Sequence, residues 1–205
     1  MFDKFVSLGA WCAVAEQLRT LYPEKYHSGV FDWLFTPFDS VAKLVEDDFA
    51  DIFNIENFQT RERFTVDDRK YGVSYHHDFT RSGEEMVVEN IAREYPSQRG
   101  KYVHLVEKWR KTVASTDSVL YLIGIAEGPD LRPQKPLRES CVALRDLFDR
   151  RYPGHRFAFL VVQPERDREE DWTEERIFNR YVMEPPPGEW KGVAESWRDM
   201  LAQFA

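Results

Sequence analysis

Apolar residues recur along the chain with two periods. Phe2, Phe5 and Val6 make a short apolar strand, after which Trp11, Val14, Ala15 and Leu18 fall at i, i+3, i+4 and i+7 and predict a helix starting at Cys12. Residues 28–35 are mostly apolar and carry one carboxylate, Asp32. Thr36-Pro37-Phe38-Asp39 then reads as a helix start, with Thr36 as N-cap, Pro37 at the first helical position and Asp39 in the acid-favouring first turn. Val41, Leu44, Val45, Phe49, Ile52 and Phe53 continue that helix on one face. Beyond a polar stretch, the alternating aromatic and β-branched residues of 71–79 predict a strand, hairpinned with Phe64-Thr65-Val66.

The second half is more regular. A helix is expected near 101–114, a strand at 119–125, a helix over 136–151 and a strand at 157–162. Strands that are apolar throughout are buried on both faces, and their alternation with helices predicts an α/β fold: one mostly parallel sheet with helices on both faces. The alternative is a papain-like α+β arrangement. The stretch 166–176 is dense in charge and reads as a solvated loop, residues 178–183 as an edge strand, and Val193, Trp197, Leu201 and Phe204 as a last amphipathic helix, within about 190–204, packing on the rest. Ligands of open α/β sheets collect beyond the carboxyl ends of the strands, where both Cys12 and the Glu127-Gly128-Pro129 turn fall.

Composition narrows the function. No linker or repeat divides the 205 residues, which are read as a single domain, 1–205. The net charge is −8, with no Lys/Arg-rich tract, so nucleic acid and anionic membranes are poor partners. Neither a membrane span nor a signal peptide is apparent, which predicts a soluble, cytoplasmic protein. Cys141 lies on the helical stripe Leu137, Cys141, Leu144, Phe148 and reads as structural, so no disulfide with Cys12 is expected. His76-His77 is the only close histidine pair and no C-x-x-C or H-x-x-x-H spacing occurs, so no metal site is expected. His27, His104 and His155 read as surface or capping residues.

Cys12 closes Ser7-Leu8-Gly9-Ala10-Trp11-Cys12, where the first strand meets the first helix. The unpaired N–H groups and positive dipole end of a helix favour thiolate over thiol, and Gly9 permits a tight turn. The plain alternative is a small buried residue. Trp11, Phe31 and Trp33 either line a cleft or belong to the core.

The motifs Ser7-Leu8-Gly9-x-x-Cys12 with Leu18-Arg19, then Phe31-Asp32-Trp33, then Tyr71-Gly72 leading to His77-Asp78-Phe79, resemble a family of mostly bacterial proteins described as papain-like cysteine peptidases, over about residues 4–165. The resemblance implies a cysteine nucleophile and a later histidine base, roles that by position fall to Cys12 and His77. A cysteine near neutral pH needs such a proton acceptor, and the imidazole needs a third group to orient it. On a strand, His76 and Asp78 point away from the face of His77, which makes Asp32 the better orienter, although a structural Asp pairing with Arg or capping a helix is the equal alternative. Ser7 and Gly9 are expected to lend backbone N–H groups to an oxyanion site, and Trp11, Trp33 and Asp78 to support the pair.

The papain glutamine before the cysteine and asparagine after the histidine have no counterparts, since residues 5–11 lack Gln and no Asn follows His77 before Asn90. The layout is also distantly similar to capsular-polysaccharide biosynthesis proteins with a Gly-Asn-Cys-Gln turn, thought to be acetyltransferases working from coenzyme A; here that turn is Gly9-Ala10-Trp11-Cys12. The expected function is a thiol-dependent hydrolase or peptidase acting without cofactor on a peptide, acyl or glycan-type substrate. An acyltransferase using coenzyme A and a non-catalytic binding protein are the alternatives.

Overall fold

The computed structural model describes residues 1–125, 132–133, 135–168 and 172–205; the Glu127-Gly128-Pro129 turn and part of the charge-dense stretch lie outside them. Lys4–Ser7 (β1) leads through a tight turn into Cys12–Leu21 (α1). Leu34–Phe35 (β2) precedes Phe38–Glu46 (α2), and the chain then builds Phe58–Arg61 (β3), Thr65–Asp68 (β4), Ser74–Tyr75 (β5), Arg81–Ser82 (β6) and Glu85–Met86 (β7). Ile91–Val113 (α3) returns to Ser118–Gly124 (β8), followed by Leu137–Arg151 (α4) and Arg156–Pro164 (β9). Thr173–Glu174 (β10), Ile177–Val182 (β11) and Ala194–Leu201 (α5) complete it.

The central sheet has the order β1-β8-β9-β11-β10, parallel throughout except for the two-residue β10. Every residue of β8 is buried, and its alternate residues go to opposite faces. Leu120 and Leu122 join Phe5, Leu160 and Val162 under α1 and α5; Val119, Tyr121 and Ile123 join Val6, Phe157 and Phe159 under α3 and α4. The fold is therefore α/β with helices on both faces. In register, Ser7 lies opposite Leu122 and Gly124 opposite Val162, so β1, β8 and β9 finish together on one side, beneath the turn before Cys12. Among the described residues no helix is long and apolar enough to cross a membrane.

Several local expectations are corrected. Helix α2 starts at Phe38 with Pro37 as N-cap, and the Thr36 hydroxyl is buried without a partner instead of capping. It stops at Glu46 because Asp48 and Phe49 take φ of 47° and 58°, a left-handed break that still delivers Phe49, Ile52 and Phe53 to the core. Helix α3 begins ten residues before the expected start, although Pro96 withholds one amide N–H inside it. The strand expected over 71–79 contracts to Ser74–Tyr75. β11 is not an edge, since β10 lies outside it. His155 is buried and hydrogen-bonded to the Tyr121 hydroxyl at 2.9 Å.

Candidate active site

The turn between β1 and α1 is pinned from both sides. Gly124 N–H donates to the Gly9 carbonyl at 2.9 Å, Ala10 N–H to the Gly124 carbonyl at 3.3 Å, and Thr36 N–H to the Ala10 carbonyl at 3.0 Å. Gly9 has φ +93°, and a Cβ there would stand 2.9 Å from Thr36 Cβ, so only glycine fits. A Cβ on Gly124 would stand 2.8 Å from Val14 Cγ2 of α1. The Thr36 bond also explains how the histidine arrives. It anchors the end of β2, which pairs antiparallel with β5 (Leu34 opposite Tyr75), and β5 runs directly into His76-His77.

Cys12 occupies the first position of α1, 7% exposed, with Trp11 as an extended N-cap that makes no side-chain capping bond. Its Sγ lies 3.4 Å from Nε2 of the exposed His77. Rings hold the imidazole: Trp33 meets it edge-on at 5.8 Å and His76 at 4.8 Å. His76 itself packs against Phe64 and Phe35. The two histidines therefore share one aromatic cluster instead of facing opposite ways, because the strand that would have alternated them ends at Tyr75. Among the described residues nothing hydrogen-bonds the other nitrogen of His77.

Burial sets the protonation of the pair. It pushes the Cys12 thiol up to about 11, with the charge of Asp32 adding to the effect and the residue's own backbone N–H opposing it. His77 is lowered, first by partial desolvation of its ring, which packs against Trp33 and His76 although the residue as a whole is exposed, against the opposing charge of Asp78. The pair is thus a neutral thiol beside a neutral imidazole at pH 7. The helix terminus was expected to favour thiolate; here desolvation outweighs it.

The other expected site residues divide. The Asp32 carboxylate accepts from the Tyr26 hydroxyl at 2.5 Å and the Gly29 N–H at 2.8 Å, while Oδ1 is buried without a described partner. Burial raises its pKa to about 6. It therefore does not hold the imidazole, and acts on the sulfur through charge. Asp78 is the carboxylate whose charge reaches His77; it is buried, bonded to Lys101 and to the Tyr102 hydroxyl. The Gly9 N–H donates to Ser7 Oγ at 3.2 Å, so that amide is not free for an oxyanion. Cys141, on the inner face of α4, is fully buried in the core.

Beside the pair opens a cleft of about 450 Å³ at the carboxyl ends of β8, β9 and β11. Trp11, Ala13 and Phe35 form its near wall, Gly124 and Gln163 part of its floor, and Met183 and Trp190 part of its far wall. Neither Cys12 nor His77 lines it: Cys12 adjoins it through its chain neighbours Trp11 and Ala13, and His77 stands behind His76, which packs on Phe35. Gln163 and the far wall escaped sequence reasoning, since nothing in the Pro185-Pro186-Pro187-Gly188 run signals a binding surface.

Residues 3–163 match the model of the family described as "Putative papain-like cysteine peptidase (DUF1796)". The chain belongs to this family. The matched span holds the Cys12–His77 pair and ends at Gln163, so the far wall of this family member's cleft comes from residues beyond the match. No curated protein and no solved structure matched the chain.

Proposed function

We propose that the protein is a thiol-dependent hydrolase in which Cys12 is the nucleophile and His77 the general base. The supporting observation is the 3.4 Å approach of Sγ to Nε2, with Trp11 and Ala13 on either side of Cys12 lining a largely apolar cleft. Because both groups start neutral, the proton leaves as attack occurs: it passes from sulfur to Nε2 while Sγ bonds to the substrate carbonyl carbon. The Cys12 N–H, at a helix start without a side-chain cap and directed at its own sulfur, is the donor we assign to the developing oxyanion. The imidazolium then protonates the leaving group as its bond to carbon breaks, leaving an acyl thioester. Water, deprotonated by His77, releases the acid and restores the thiol. Trp33 acts as a positioning residue by fixing the ring plane.

The test is a screen of peptide amides, esters and thioesters, acetyl-coenzyme A included, with and without hydroxyl and amine acceptors. Cys12→Ala should abolish turnover and His77→Ala should lower it by about 10²–10⁴-fold, the usual worth of a positioned base. Turnover that survives Cys12→Ala refutes the proposal. Transfer to an acceptor in preference to water reassigns the reaction to an acyltransferase.

A further inference from the structure

Gln163, the last residue but one of β9, is held in an unusual way for a residue at the floor of an open cleft. Its Nε2 donates to Asn179 Oδ1 at 2.7 Å, and Asn179 Nδ2 donates in turn to the Tyr181 hydroxyl at 2.9 Å. Gln163, Asn179 and Tyr181 are 8%, 1% and 9% exposed, so this relay is part of the interior. The Arg168 guanidinium covers the Tyr181 ring at 4.5 Å. Among the described residues the Gln163 side chain makes no other hydrogen bond. One N–H and one carbonyl oxygen of a rigidly held carboxamide are left where Gln163 borders the cleft beside Cys12 and a second cavity next to it.

A polar group without a protein partner in a largely apolar cleft gains most from a ligand that supplies one. A carboxamide with both a donor and an acceptor free matches a peptide group, which offers the reverse pair; a thioester or simple ester offers no donor. The position sets the register. β9 is separated from β1, whose end leads to Cys12, by β8 alone. Two strand spacings are about 10 Å, the span of about three extended residues. We infer that Gln163 is a specificity residue that hydrogen-bonds a backbone amide of a peptide substrate about three residues from the reacting carbonyl, on the acyl side. This rests on Cys12 being the nucleophile. An acyl-side contact also retains the thioester intermediate while the leaving group departs.

Alkylation of Cys12 by peptidyl chloromethyl ketones tests it, read at peptide level by mass spectrometry and normalised to iodoacetamide on the same protein. Acetylated probes of one and four alanines are compared with a four-residue probe in which the amide at the third residue is replaced by an ester. The wild-type protein should favour the longer amide probe by about tenfold, the scale of one hydrogen bond. Gln163→Leu should erase that preference without changing the iodoacetamide rate, and the ester probe should lack it on the unaltered protein, which needs no variant to fold. An equal preference in Gln163→Leu, an ester probe as fast as the amide, or no length dependence overturns the inference while leaving Cys12 as nucleophile. Cys12 inert to iodoacetamide as well, in folded protein, overturns both.

Discussion

The ionisation of Cys12 separates two kinds of thiol enzyme: one that stores a thiolate-imidazolium pair and one that creates it during attack. Burial takes the thiol from 9.0 to about 11. At pH 7 the thiolate fraction is therefore about 100-fold below that of an exposed cysteine. The more basic thiolate is more nucleophilic, with a Brønsted slope of about 0.4–0.5, which returns a little under tenfold. The net expectation is alkylation roughly tenfold slower than in an unfolded cysteine peptide. The assay follows iodoacetamide modification of Cys12 from about pH 6 to about pH 10.5, with Cys141 resolved as a separate peptide. The rate should climb about tenfold per pH unit without levelling, and His77→Ala should leave it nearly unchanged in the absence of substrate. Asp32→Asn removes a negative charge that disfavours thiolate, so its profile should lie at lower pH. A plateau below about pH 8, abolished by His77→Ala, would reveal a stored ion pair and refute the reasoning.

His77 is lowered by burial, so the acid limb of kcat/KM should fall below the ordinary 6.5 of histidine; a limb above it would mean that another group gates the reaction. Asp32 titrates near 6 against 3.8 unfolded, so burial favours its protonated form: its contribution is complete below about 3.8 and is lost as pH rises through 6, about 3 kcal/mol in all. Carboxylates with lowered pKa, such as Asp3, Asp47 and Asp51, gain stability over the same range, so the loss is read as a difference: the stability of Asp32→Asn relative to the wild type, from denaturant unfolding, should rise by that amount between acid and neutral pH. Gly9→Ala forces a Cβ to 2.9 Å from Thr36 at φ +93° and should cost more than about 1 kcal/mol, measured by thermal unfolding; an unchanged melting temperature would show that the turn relaxes freely.

The continuously apolar strands were readable because each is buried on both faces, which leaves no alternation to misplace. The strand at 119–125, the helix at 136–151 and the strand at 157–162 lie within two residues of β8, α4 and β9. The first turn was readable too, since a glycine before an amphipathic run has few other uses. What failed was whatever depends on distant segments. Period-2 reasoning about His76 and His77 assumed a strand that stops at Tyr75, and no local signal marks that stop. The Asp32 partners, Tyr26 and Gly29, lie only six and three residues away, yet an apolar run containing one acid does not say which way the acid turns. The far wall of the cleft is proline-rich chain with no period at all.

The outer side of β1 is not left open. Phe5 donates its N–H to the Lys25 carbonyl and accepts from the His27 N–H, each at 2.9 Å, so an irregular segment occupies the position of a sixth strand. The clasp is fastened by the Tyr26 hydroxyl on Asp32. At the opposite margin, β10 is two residues long and ends in a glutamate, a poor template for another chain. Asp32 thus sits where the chemistry of the sulfur meets the solution behaviour of the whole sheet. Its charge reaches the thiol, and its hydrogen bond holds the fastening that keeps a backbone donor and acceptor of Phe5 from recruiting a second molecule. A substitution that released Tyr26 would show itself first as edge-to-edge association in concentrated solution, before any loss of the fold.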